Sequence, residues 1–315
     1  MTATLDRIVR PDVNYSVETG HRKIGLGIGL VALMIGMVVA GLGIYAASLV
    51  GSAGDEGTLA RVLAIAFGLN TTALVMLKAA IAVILVGILV RIWIRVESVK
   101  TSLAVLKPDA EAGTIKTGDV DTEFGPATVS MNTPSRLPIH KMANTMWGPM
   151  LLMGVMSVFA GLVVSWVWAG NVGTSTGLDA RAWTQGLQFL GEGFVLASIS
   201  FLLASILSGL REGGGEVQEA LGLPVMTLKM PNTAKAFVVL MVMGLMIEMV
   251  QFGLYIYITT FNDLARYTLW SSWLGPFREL GLGLLLAGII LALATIAKAL
   301  GFQFSRISDI VATGK

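Results

Sequence analysis

The stretch FGLNTTALVMLKAAIAVILVGILVRIW, running from Phe67 to Trp93, decides the fold class. It carries two ionisable side chains, Lys78 and Arg91, and no proline. A helix rises ~1.5 Å per residue, so this length crosses the ~30 Å hydrocarbon layer of a bilayer. Five further stretches are as apolar: Ile24–Val50, Met146–Ala169, Leu187–Leu210, Ala236–Thr260 and Leu280–Leu300. Across all 315 residues 55% are apolar and 13% charged, and mean hydropathy is +0.77. No soluble core needs that much apolar surface. Lipid offers backbone N–H and C=O groups no partners, so each stretch must be helical. A β-barrel would show ten-residue alternation instead. The sequence predicts an all-α, polytopic integral membrane protein with six transmembrane helices.

The stretches group into three helical hairpins that look like copies of one another. Arg61 to Arg91 and Arg181 to Arg211 have the same length and lie 120 positions apart. The triplets Leu59-Ala60-Arg61, Asp179-Ala180-Arg181 and Leu264-Ala265-Arg266 precede the even-numbered spans. The expected division is a tail at 1–23, a first hairpin at 24–93, a loop at 94–139 and a second hairpin at 140–211. A loop at 212–235, a third hairpin at 236–300 and a tail at 301–315 complete it. Two loop segments also match, GPATVSMNTP (Gly125–Pro134) and GLPVMTLKMP (Gly222–Pro231). Gly and Pro punctuate them and β-branched residues lie between, which predicts a short extended, β-like element.

Orientation follows from charge. Seventeen of the 22 Lys and Arg fall in the tails and the two long loops, or beside them. Only Arg61, Arg181, Arg266 and Arg278 fall at the other side, where Trp166, Trp168, Trp183, Trp270 and Trp273 gather. By the positive-inside rule both termini are expected in the cytoplasm, with the chain in the inner (cytoplasmic) membrane of a bacterium. The first 23 residues lack an apolar core, so no cleavable signal peptide is expected. The net charge of +2 suits loops facing anionic lipid and calls for no nucleic-acid partner.

Lys78 and Glu248 are the most unusual residues, since each lies within a span. A lone mid-helix charge costs roughly 2.5–3.5 kcal/mol on insertion scales. Counted from the basic ends of their spans they sit at equal depth, so a Lys78–Glu248 pair is expected. Gln251 and Tyr255 share the face of Glu248. Glu192 and Glu279 read as interfacial carboxylates favoured by helix N-termini. Gly25, Gly29, Ala32, Gly36 and Ala40 form a small-residue stripe that lets two helices approach. His140, Met142, Met146 and Met150 share the head of the third span; thioethers and imidazole suit Cu(I), and thioethers also serve as packing. His21 occupies the place before the first span that His140 occupies before the third.

There is no cysteine, which excludes disulfides and thiolate metal sites. Two histidines at span ends cannot supply buried bis-His haem ligation, and no nucleophile or nucleotide motif occurs. No cofactor is expected. The favoured reading is a non-catalytic integral membrane subunit with a structural or scaffold role. Its expected partners are the lipid bilayer and other integral membrane subunits, or further copies of itself. The alternative is an ion or small-solute transporter or channel using Lys78 and Glu248. A copper- or quinone-associated membrane enzyme subunit ranks third.

Overall fold

The computed structural model describes residues 15–52, 54–103, 118–135, 137–220, 222–260 and 264–313. Six long helices account for most of them: α1 (Tyr15–Ser48), α2 (Glu56–Leu103), α3 (Pro138–Gly170), α4 (Ser175–Ala220), α5 (Asn232–Ile258) and α6 (Leu264–Thr313). Each contains a segment long and apolar enough to cross a membrane, as the sequence predicts.

The helices outrun the apolar stretches. α2 has 48 residues, α4 46 and α6 50. α1 already begins inside the segment expected as an N-terminal tail, and α6 continues through the expected C-terminal tail. Apolar runs record what lipid covers, whereas caps record where helical hydrogen bonding starts and stops. Asp55 caps α2 by accepting from the Thr58 N–H at 2.7 Å. The Thr174 hydroxyl accepts from the Gly177 N–H at 3.1 Å and caps α4. α4 ends in a Schellman motif: the Leu223 N–H bonds the Gln218 carbonyl and the Gly222 N–H bonds that of Glu219. That motif needs a left-handed residue, and Gly222 supplies φ +69°.

α4 is the axis of the molecule. Inside the protein 83% of its apolar window is buried, against 22–39% for the other five. It packs on α2, α3, α5 and α6, while α1 packs chiefly on α2. Close approach is set by small residues at one repeated spacing. A Cβ built on Gly36 would meet the Ala73 carbonyl and Leu77. On Gly154 it would meet the Gly191 carbonyl and Val195, and on Gly244 the Gly281 carbonyl and Leu285. Each pair of contacts lies 37 and 41 positions further along the chain. Seven residues beyond the first two glycines, Gly43 and Gly161 make room for Asn70 and Gln188, each 27 positions on. In α5 the corresponding residue is Gln251, and 27 positions beyond it stands Arg278. Of the expected stripe, Gly36 faces α2 and Ala32 and Ala40 are half-buried; the side-chain positions of Gly25 and Gly29 lie outside the described residues, as does that of His21.

At the Lys/Arg-rich end three strands form an antiparallel sheet in the order β1 (Gly118–Thr122), β2 (Gly125–Ser130), β3 (Val225–Leu228). The two segments read from sequence as counterparts, β2 and β3, pair with each other, Thr128 opposite Thr227 and Val129 opposite Met226. The sheet is tied to α4, where Gln218 accepts from the Met226 N–H at 3.1 Å. Phe124 meets Phe302 of α6 edge-on at 6.3 Å.

Candidate functional site: an intramembrane charge cluster

Four ionisable side chains from four helices converge within the bilayer span. Glu192 of α4 lies between two cations. Lys78 of α2 donates to its Oε1, and Arg278 of α6 donates to its Oε2. The Glu192 side chain is 2% exposed, Lys78 20% and Arg278 18%, so these charges are withdrawn from surrounding solvent. The Arg278 guanidinium also lies 3.9 Å from the Phe189 ring centroid, a cation–π contact.

The expected Lys78–Glu248 pair is not formed; Lys78 is spent on Glu192. The basic ends do not mark equal depths: Lys78 lies thirteen residues before Arg91 and Glu192 nineteen before Arg211, yet the two side chains meet. Counted from the residues met 37 positions after Gly36, Gly154 and Gly244, Lys78 lies five past Ala73, Glu192 one past Gly191 and Arg278 three before Gly281.

Glu248 sits beside this arrangement. It is 1% exposed, and neither carboxylate oxygen has a hydrogen-bond partner among the described residues. It threads between two glycines: a Cβ on Gly193 would come 2.7 Å from its Cγ, and one on Gly281 would come 2.6 Å from Oε1. Any larger residue at those positions would fill the space its carboxyl occupies. Gln251 and Tyr255, on the same face of α5, are buried as well. Gln251 donates to the Leu274 carbonyl at 3.4 Å, and the Tyr255 ring packs on Phe189 at 5.8 Å.

A polar column on α4 leads from Glu192 toward the N-terminus of the helix. Gln188 donates to the Gly68 carbonyl at 3.0 Å, which Thr72 also meets at 2.8 Å. Gln185 accepts from the Tyr267 hydroxyl at 3.2 Å, and Arg181 lies between the Trp168 and Tyr267 rings. Toward its C-terminus α4 presents Leu196, Ile199, Leu202 and Leu203, packed with Phe237 and Leu285. That apolar layer separates the cluster from Ser208, which donates to Glu212 at 2.7 Å near His140. Ser198, Ser200 and Ser205 lie on this stretch of α4 too, but each is spent on a backbone carbonyl.

The methionine-rich head of α3 is dispersed. Met146 and Met150 pack on the core, Met142 is exposed, and His140 lies 3.9 Å from Glu212. Glu192 and Arg278, both first read as interfacial, are the residues that sequence reasoning missed. Their flanking glycines at the 37-residue spacing carried the signal.

Comparison of the chain with models of known families, with curated proteins and with solved structures finds no match.

Proposed function

We propose that this chain is a non-catalytic integral membrane subunit, built from three copies of one helical hairpin and held within a larger membrane assembly. The observation that carries the reading is the placement of Lys78, Glu192 and Arg278, one on the second helix of each hairpin. Glu192 offsets a cation from each of the other two hairpins, with one positive charge left over, so the costliest groups in the span serve to tie the copies together. The shared 37-residue spacing supports the triplication, with offsets of 118 and 90 positions between the glycines where the arginines suggest 120. The basic ends face the cytoplasm in this reading. Extraction in gentle detergent and native mass measurement provide the test. A stoichiometric partner, or a defined number of self-copies, is the expected result. A free monodisperse chain that moves ions across liposomes overturns it.

One observation favours transport as a second reading. Glu248 is an unpartnered carboxyl at the inner limit of a polar column, a position suited to taking up and releasing a proton. Flux in liposomes that disappears in Glu248→Gln would select that reading.

A further inference from the structure

Where α3 begins and α4 ends, a cleft of about 90 Å³ opens near the sheet. Part of its wall is apolar, with Leu137, Leu207, Phe237 and Val238. Another part carries Arg211, Lys229, Gln303 and Arg306. Lys229 is a rim residue already paired with Asp119 at 2.5 Å. Arg306 is different. It lies past the apolar span that ends at Phe304, is 3% exposed, and has no hydrogen-bond partner for Nε or Nη2 among the described residues. Its third nitrogen, Nη1, donates to Gln303 Oε1 at 3.4 Å. Gln303 is itself fixed by donating to the Leu210 carbonyl. The guanidinium carbon lies 4.7 Å from the Phe302 ring centroid.

Gly214 of α4 leaves the space in which this head group lies. A Cβ there would strike both Gln303 and Arg306. The guanidinium is therefore positioned, cradled and only partly satisfied. Burial pushes it down to about 10, which still leaves a cation at neutral pH. A buried cation with unspent donors is costly until an anion meets it. A guanidinium fork matches phosphate and carboxylate geometry. The apolar wall beside it suits a hydrocarbon chain.

We infer that this cleft binds one anionic amphiphile from the membrane, its phosphate or carboxylate head on Arg306 and its chain against Leu207 and Phe237. The site is separate from the intramembrane charge cluster and does not depend on the role proposed for the chain.

The full-length protein in mild detergent is titrated with phosphatidylglycerol, phosphatidylcholine, oleate and inorganic phosphate. Binding is counted by native mass spectrometry and stability by thermal unfolding. One phosphatidylglycerol or oleate per chain is expected, with phosphatidylcholine at least about tenfold weaker. Arg306→Gln should lose that preference by roughly tenfold or more. In lipid-free detergent the same variant should melt at or above the wild type, because an unspent buried charge has been removed; added phosphatidylglycerol should reverse the order. Ala299→Trp, which fills the cleft while keeping Arg306, should weaken both amphiphiles. Undiminished phosphatidylglycerol binding by Arg306→Gln overturns the inference. So does equal binding of phosphatidylcholine. Stabilisation by inorganic phosphate equal to that by phosphatidylglycerol would assign a free-anion site and overturn the amphiphile.

Discussion

Glu192 satisfies two cations at once, and this makes the losses on mutation unequal. Glu192→Gln leaves Lys78 and Arg278 as like charges in a low-dielectric site, and should cost about 3–5 kcal/mol in detergent unfolding. Lys78→Met removes one of two partners and should cost less. Combined with Glu192→Gln, it should recover part of the loss. Glu248→Gln should be close to neutral for stability, since its oxygens have no partners to lose, and Lys78→Met should give it no rescue. A double-mutant cycle separates the two pairings: strong coupling belongs to Lys78 with Glu192, and coupling of equal size to Glu248 would contradict the geometry. The sequence disclosed that Lys78 and Glu248 lie within spans and are exceptional. It could not disclose the partner, because partner choice depends on helix depth, and the last basic residue of a helix does not mark where the helix leaves the lipid.

Among the elements, the glycines divide into those that touch and those that do not. Gly191 of α4 admits α3: a Cβ there would meet the Gly154 carbonyl at 2.7 Å. Gly253 of α5 has nothing within 4 Å. Gly191→Ala should therefore lower the unfolding temperature, whereas Gly253→Ala should raise stability by up to roughly 1 kcal/mol through helix propensity. The sheet gives a pH prediction. The hydrogen bond from Lys229, with one from Thr128, holds the Asp119 carboxyl below the ordinary carboxylate range. A depressed folded-state value contributes stability above the unfolded value of ~3.9 and loses it as pH falls through the folded one. Protection of the β1 amides, measured against their intrinsic exchange rates, should fall on acidification through and below pH ~4, and Asp119→Asn should remove that dependence. The extended character of the Gly–Pro segments was legible from their Val and Thr content. Their mutual pairing was not, since a self-match in sequence reports common pattern and carries no register.

At the scale of the molecule, six apolar runs were enough to foretell six membrane-length helices. They did not foretell which helix lies at the centre. The serines and glycines of α4 distinguish it only in hindsight: Ser198, Ser200, Ser205 and Ser208 are all buried, bonding carbonyls or Glu212. A helix facing lipid has no use for so many small polar groups, whereas a helix enclosed by four others needs thin faces. α1, supported chiefly by α2, is the least enclosed helix. Its backbone amides should exchange faster in detergent than those of α4, and uniform protection across the two would contradict this order of enclosure.

The central position of α4 has a consequence for how the chain is made. A ribosome delivers α2 first, then α4, and α6 last. Glu192 therefore reaches the membrane with Lys78 already waiting and Arg278 still unsynthesised. During that interval the nascent bundle holds one neutralising contact instead of two. Insertion of the last helix is then drawn by an acceptor oxygen that nothing earlier in the chain has filled.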